Sequence, residues 1–132
     1  MPVIVDSSVV LAVVLAEPER HRIIDATRGL ELCSPEILPY EVGNALSAMV
    51  RRQRLATTAA LAAWRSFSMI PVRLLACDIS AALQLAVARK IYAYDAYFLQ
   101  TANKSGQTLF TLDRAMQRIA ADLGIETIEV DP

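Results

Sequence analysis

Three of the four glycines in this chain stand in one context. Thr27-Arg28-Gly29 is followed by Leu30-Glu31-Leu32-Cys33, Lys104-Ser105-Gly106 by Gln107-Thr108-Leu109-Phe110-Thr111, and Asp122-Leu123-Gly124 by Ile125-Glu126-Thr127-Ile128-Glu129-Val130. A glycine between a helical pattern and a short β-prone run ends the helix, because it adopts the left-handed C′ conformation without a Cβ clash. Helices alternating with short strands give crossover connections, and crossovers build a parallel sheet. Val3-Ile4-Val5, apolar at every position, is what a strand covered on both faces requires. The fold class is therefore α/β, and 132 residues suit one domain spanning 1–132.

The pattern predicts strands near 2–5, 30–33, 71–75, 107–111 and 126–130, with helices between them. The first helix runs from about Ser8 to Ala16 and stops at Glu17-Pro18; the second, Glu19 to Arg28, carries Ile23, Ile24 and Ala26 inward. Ser34 is read as an N-cap with Pro35 at N1 of a short turn, and Pro39 restarts the chain as the main third helix. There Leu38, Val42, Ala45, Leu46 and Met49 make an apolar stripe. A fourth helix after Thr57-Thr58 turns Leu61, Trp64, Phe67 and Ile70 toward the core, with Leu61 and Trp64 also available as a partner contact. Further helices cover Ser80 to Lys90, about Tyr94 to Ser105, and Asp113 to Leu123.

Composition removes several classes. At 55% hydrophobic and 20% charged the chain is neither disordered nor low-complexity. Its longest stretch without a charge is ten residues, half the roughly 20 needed to span a bilayer. Met1-Pro2-Val3-Ile4-Val5-Asp6 has no basic n-region and meets a carboxylate at once, so a cytoplasmic location is expected and a signal peptide is not. Cys33 and Cys77 lack CxxC spacing and are read as small buried hydrophobes. The 13 basic and 14 acidic residues nearly cancel, yet four acids gathered in one cleft would leave the remaining surface positive. Eleven of the bases are Arg, the side chain best shaped for phosphate.

Three aspartates occupy equivalent places. Asp6 ends the first strand, Asp113 follows Leu109-Phe110-Thr111-Leu112, and Asp95 lies in the first turn of the helix after Ile91-Tyr92-Ala93-Tyr94. Each suits a helix N-terminus on its own account. Jointly, they stand where the carboxyl ends of parallel strands face one crevice. Glu41 lies about 60° from the centre of the third-helix stripe, at the edge of its buried face. Gly43, costly inside a helix, suggests a close approach to the backbone, and Asn44 is placed to hold the Glu41 carboxylate. Carboxylates drawn together repel, and a divalent cation relieves that repulsion. Arg51-Arg52-Gln53-Arg54 is the densest basic patch; it suits phosphates or the C-terminal end of a helix dipole. Tyr92, Tyr94 and Tyr97 offer rings for base stacking, with Tyr97 also suited to packing on a neighbouring helix. His21, in Glu19-Arg20-His21-Arg22, reads as a solvated helix residue.

The set Val3-Ile4-Val5-Asp6-Ser7-Ser8, Pro39-Tyr40-Glu41-Val42-Gly43-Asn44-Ala45-Leu46, Tyr94-Asp95-Ala96-Tyr97 and Thr111-Leu112-Asp113-Arg114 resembles the PIN-domain nucleases, and more narrowly the VapC toxins of bacterial type II toxin–antitoxin pairs. The resemblance covers essentially the whole chain in order. It implies a three-layer α/β/α fold on a parallel sheet of about five strands, and an endoribonuclease dependent on Mg²⁺ or Mn²⁺ that cuts single-stranded or loop regions of RNA such as tRNA or rRNA. By matching position, Asp6, Glu41, Asp95 and Asp113 form the acidic tetrad, with Ser8 and Thr111 supporting it. Some relatives carry a further acid where this chain has Met116. A cognate small antitoxin and a homodimer are the implied partners, and no membrane.

Competing readings differ in one or two residues. A phosphatase of the haloacid dehalogenase type needs a second Asp two positions after the first, where Ser8 stands. A receiver-like module needs paired acids there and a strand-end lysine, whereas Lys90 and Lys104 fall in or beside helices. A non-catalytic PIN-like or RNA-binding scaffold would keep the acids as caps.

Overall fold

The computed structural model describes residues 1–130. Five parallel strands, β1 (Pro2–Val5), β2 (Glu31–Pro35), β3 (Val72–Leu75), β4 (Thr108–Phe110) and β5 (Thr127–Ile128), pair in the order β3-β2-β1-β4-β5. Seven helices flank them: α1 (Ser7–Val14), α2 (Arg20–Thr27), α3 (Leu38–Arg51), α4 (Thr57–Ser68), α5 (Ile79–Arg89), α6 (Ala93–Ser105) and α7 (Arg114–Asp122). Helices α1 to α4 pack on one another, as do α5 to α7, which gives three layers. The core is built where the central strands meet both layers: Val3, Ile4, Val5, Leu109 and Phe110 are essentially inaccessible, as are Leu38 and Val42 of α3 and Leu99 of α6.

The strand order fixes where chemistry can occur. The chain runs outward from β1 through β2 to β3, then returns to lay β4 on the other side of β1. The reversal point therefore lies between the carboxyl ends of β1 and β4, where an open α/β sheet forms a crevice. Val5 is in register with Phe110, so Asp6 and Thr111 leave the sheet side by side, with the Asp6 N–H donating to the Phe110 carbonyl at 3.3 Å. Gly106 closes α6 at φ +66° and frees the chain to turn directly into β4.

Several sequence expectations are corrected. Ser34 and Pro35 do not open a turn; both are buried in the last two positions of β2, opposite Leu74 and Leu75, and Ser34 donates its hydroxyl to the Pro35 carbonyl. Helix α4 is rotated from the expected setting. Its buried face is Ala60, Ala63 and Phe67, while Leu61 is 55% and Trp64 38% exposed. Small side chains let α4 lie close to α1 and α3, and the two large residues remain outside. On α2 only Ile23 is fully buried, Ile24 and Ala26 being partly so. Cys33 is buried as expected, but Cys77 is only half-buried. A Cβ added at Gly43 would meet nothing within 4 Å, so no neighbour approaches this backbone. Among the described residues no helix is long and apolar enough to cross a membrane.

Candidate active site

Asp6 is the buried centre of the site. It is the N-cap of α1, and its Oδ1 accepts from the Val9 N–H at 3.3 Å and the Ser8 hydroxyl at 2.6 Å. Its Oδ2 accepts from the Thr111 hydroxyl. The same two hydroxyls accept backbone N–H groups of the loop after β4. Leu112 N–H donates to Ser8 Oγ and Asp113 N–H to Thr111 Oγ1, each at 3.0 Å. Two side chains thus weld the ends of β1 and β4 together through a carboxylate. Burial pushes the Asp6 carboxyl above the usual range; the Ser8, Thr111 and Val9 hydrogen bonds oppose this, and the Asp113 charge adds to it.

Asp113 caps α7, its Oδ1 accepting from Ala115 N–H at 2.9 Å and Met116 N–H at 3.2 Å, while the residue itself stays exposed. The cap and the site are therefore compatible, because Oδ2 has no protein partner among the described residues. Gln117 was not anticipated from sequence: its side-chain amide donates to the Thr111 carbonyl at 2.9 Å and its backbone N–H to the Asp113 carbonyl at 3.0 Å, closing the turn. Only its position one helical turn after Asp113 hints at this. Met116 is buried against the Thr111 hydroxyl and cannot serve as a further ligand.

Glu41 comes from the first turn of α3 and Asp95 from the first turn of α6. Glu41 is half-buried, and its Oε1 is buried without a hydrogen-bond partner. Its carboxyl is pushed up to about 7, first by burial, then by the charges of Asp6 and Asp95, with the Ser7 hydroxyl working the other way. Asp95 is raised by burial and by Asp113. The repulsions link all four acids: Glu41 with Asp6 and Asp95, and each of those with Asp113. Among the described residues no group of three or more acidic, His or Cys side chains is positioned, as it stands, to hold a metal ion. The set is an open one of hard oxygens with one buried acceptor unfilled. That suits a hard divalent cation, which keeps several waters, better than a metal needing a closed cage.

The structure joins Ser8 and Thr111 directly to Asp6 and sets Glu41, Asp95 and Asp113 near enough for their charges to act on one another or on Asp6. Asn44 does not join them as expected. It is exposed and makes no side-chain hydrogen bond to Glu41; it lines an open cleft of about 370 Å³ with Ser7, Ile37, Tyr40, Glu41, Ala45 and Tyr94. Arg51, Arg52 and Arg54 are exposed and in no salt bridge among the described residues. They lie at the far end of α3, about 15 Å along its axis from Glu41 at 1.5 Å per residue.

A model of the PIN domain matches residues 3–122. The chain belongs to the PIN-domain family. Within it the chain is of the VapC type: it is 30% identical over 121 residues to Ribonuclease VapC3 of Pyrobaculum aerophilum, an alignment covering 88% of this chain and 92% of that one. The PIN fold itself is shared with VapBC2 of Rickettsia felis bound to a DNA fragment of its promoter (TM-score 0.70, 11% identity, 99% of this chain and 100% of that one). It is shared too with VapC20 of Mycobacterium tuberculosis, a toxin that cleaves the sarcin–ricin loop (TM-score 0.67, 18% identity, 98% and 99%).

The hydroxyl bridge of this PIN domain carries a direct test. Thr111→Val keeps the shape but removes a donor to Asp6 and the acceptor of the Asp113 N–H, which should cost about 1–3 kcal/mol and lower the melting temperature by several degrees. Thr111→Ser should restore most of it. Thermal unfolding without metal checks this, and a Thr111→Val protein as stable as wild type would refute the bridge.

Proposed function

We propose that this single PIN domain, over residues 1–132, is a metal-dependent endoribonuclease, the toxin of a toxin–antitoxin pair, hydrolysing RNA phosphodiester bonds. The observation that carries this reading is the buried, unpartnered Glu41 Oε1 within a ring of mutually repelling carboxylates. A fold stabilised only by caps has no use for such an arrangement, since an unfilled buried acceptor is destabilising. Asp6, Glu41, Asp95 and Asp113 would hold Mg²⁺ or Mn²⁺, which when bound supplies Lewis acidity toward water and offsets charge developing on the phosphate.

The side chains divide the remaining work. Ser8 and Thr111 keep Asp6 fixed, Val9 N–H holds it against the helix end, and one Oδ2 lone pair is left uncommitted. Asp113 uses Oδ1 for its own helix and leaves Oδ2 without a protein partner among the described residues. Arg51, Arg52 and Arg54 bind phosphates of the flanking RNA rather than the scissile one. Two separate apolar surfaces remain for protein partners. A concave groove lined by Gly43, Leu46, Val50, Ala60, Leu61 and Trp64 suits a slim antitoxin segment. On α5, Ile79, Leu83 and Val87 are exposed at successive turns, a stripe able to meet its own copy across a two-fold axis in a homodimer.

Water is the attacking group in this mechanism, so the products carry 5′-phosphate and 3′-hydroxyl ends. Incubating the purified protein with tRNA and rRNA under Mg²⁺, Mn²⁺ or EDTA and mapping the ends tests this. Ends bearing 2′,3′-cyclic phosphate would overturn it, because they require attack by the RNA 2′-hydroxyl.

A further inference from the structure

Three tyrosines of this chain are held in water: Tyr40 is 76%, Tyr92 81% and Tyr94 55% exposed. Single exposed rings need no explanation. Tyr40 and Tyr94 differ, because each directly precedes one of the site acids, Glu41 and Asp95, on a separate helix, and both line the cleft that holds Glu41. Tyr92 does not line it. The Tyr94 ring is also supported on one side: it meets Tyr97 edge-on at a centroid distance of 6.1 Å and an interplanar angle of 80°, and Tyr97 packs on the small core formed by Ala82, Ala86 and Ala96. A ring with one packed neighbour has less freedom to lose on contact with a ligand than a ring free on all sides.

The cleft, at about 370 Å³, has the size of a small-ligand pocket, and its wall combines the two rings with the exposed Asn44 amide and the Glu41 carboxylate. The two rings and the Asn44 amide suit a neutral, flat, hydrogen-bonding group, while the carboxylates, with the ion they would hold, are the place for the phosphate. Among the parts of a polynucleotide only the base answers that description. We infer that Tyr40 and Tyr94 form a stacking site for one unpaired nucleobase beside the scissile phosphate, with Asn44 available to its edge. This rests on the nuclease reading above and extends it to substrate form. A base inside a duplex cannot leave its stack to enter, so the site selects single strands and loops.

The test measures binding separately from cleavage. A fluorescein-labelled single-stranded RNA of tRNA or rRNA loop sequence, its cleavage by wild type scored in parallel, is titrated by anisotropy, in Mg²⁺, against the Asp6→Asn protein and its double variants. Tyr40→Ala and Tyr94→Ala should each weaken binding by about tenfold, the scale of one lost base–aromatic stack. Phe at either position should stay within about twofold of the parent, which shows that the ring and not folding is at stake. Tyr92→Ala should have no effect. Abasic sites stepped along the RNA should reveal one position where removing the base weakens the parent but not the Tyr94→Ala protein. Cleavage by wild type combined with an unchanged dissociation constant for both alanine variants overturns the stacking site alone. Absence of both cleavage and binding overturns the nuclease reading with it.

Discussion

Asp6→Asn should lower metal-dependent RNA cleavage by about 1000-fold or more, the scale for losing a principal electrostatic group of an active site, while leaving the protein folded. The second half of that expectation gives the first its meaning. Asp6 is buried and carries a carboxyl raised by desolvation, so an uncharged amide relieves a cost. All three hydrogen bonds to the side chain can be remade, one of them reversed. The substituted side chain would keep its oxygen for the Val9 N–H and the Ser8 hydroxyl, and its amide would donate to Thr111 Oγ1. The Thr111 hydroxyl would then turn to Met116 Sδ, already 3.9 Å away. The melting temperature should be equal to or above that of wild type, and added Mg²⁺ should no longer raise it, since stabilisation by a ligand requires a site to bind it. Cleavage within tenfold of wild type would remove Asp6 from the centre of the site. A lowered melting temperature would instead give Asp6 a structural role.

The same network shows what a sequence discloses and what it withholds. Glycine ends of helices and the apolar run Val3-Ile4-Val5 are local signals, and the helix–strand alternation they predicted is the one observed. Ser8, two residues from Asp6, was within reach of local reasoning. Thr111, 105 positions away, was not: its contact depends on β4 lying beside β1, and a strand's own pattern does not say which neighbour it takes. Only the resemblance to PIN-domain nucleases pointed there. Helix α4 misled for another reason. Leu61 and Trp64 dominate any apolar pattern by size, whereas its actual inner face is formed by Ala60, Ala63 and Phe67. Periodicity locates apolar bulk, but helices in close contact select small side chains, and the surplus bulk outside is consistent with a partner surface. Asn44 and Gly43 show the converse. Gly43 suggested a close approach to the backbone and Asn44 support for Glu41, whereas the structure sets Gly43 on an open groove and Asn44 on a cleft.

Glu41→Gln should stabilise the metal-free protein at pH 8 and leave it unchanged at pH 4. Folding raises the Glu41 carboxyl from the ordinary 4.5 to about 7. Between those values the folded protein retains a proton that the unfolded chain has released, so folding becomes less favourable as pH rises through the window. Below it the penalty is absent and above it complete. The side chain is only partly buried, so solvent screening reduces the effect to about 1–2 kcal/mol, a rise of a few degrees in melting temperature for Glu41→Gln at pH 8. Asp6 and Asp95 are raised too and give wild type a slope of the same sign, so the difference between the two proteins isolates Glu41. Divalent metal should reverse the order. At pH 8 an ion offsets the repulsion that the glutamine removes, so Mg²⁺ should raise the melting temperature of wild type more than that of the variant. Because the proton on Glu41 must leave first, the Mg²⁺ concentration needed should climb as pH falls below about 7. Thermal unfolding from pH 4 to 8, with and without Mg²⁺, reads both effects. Parallel curves for the two proteins would make Glu41 an ordinary solvated carboxylate and detach it from the metal site.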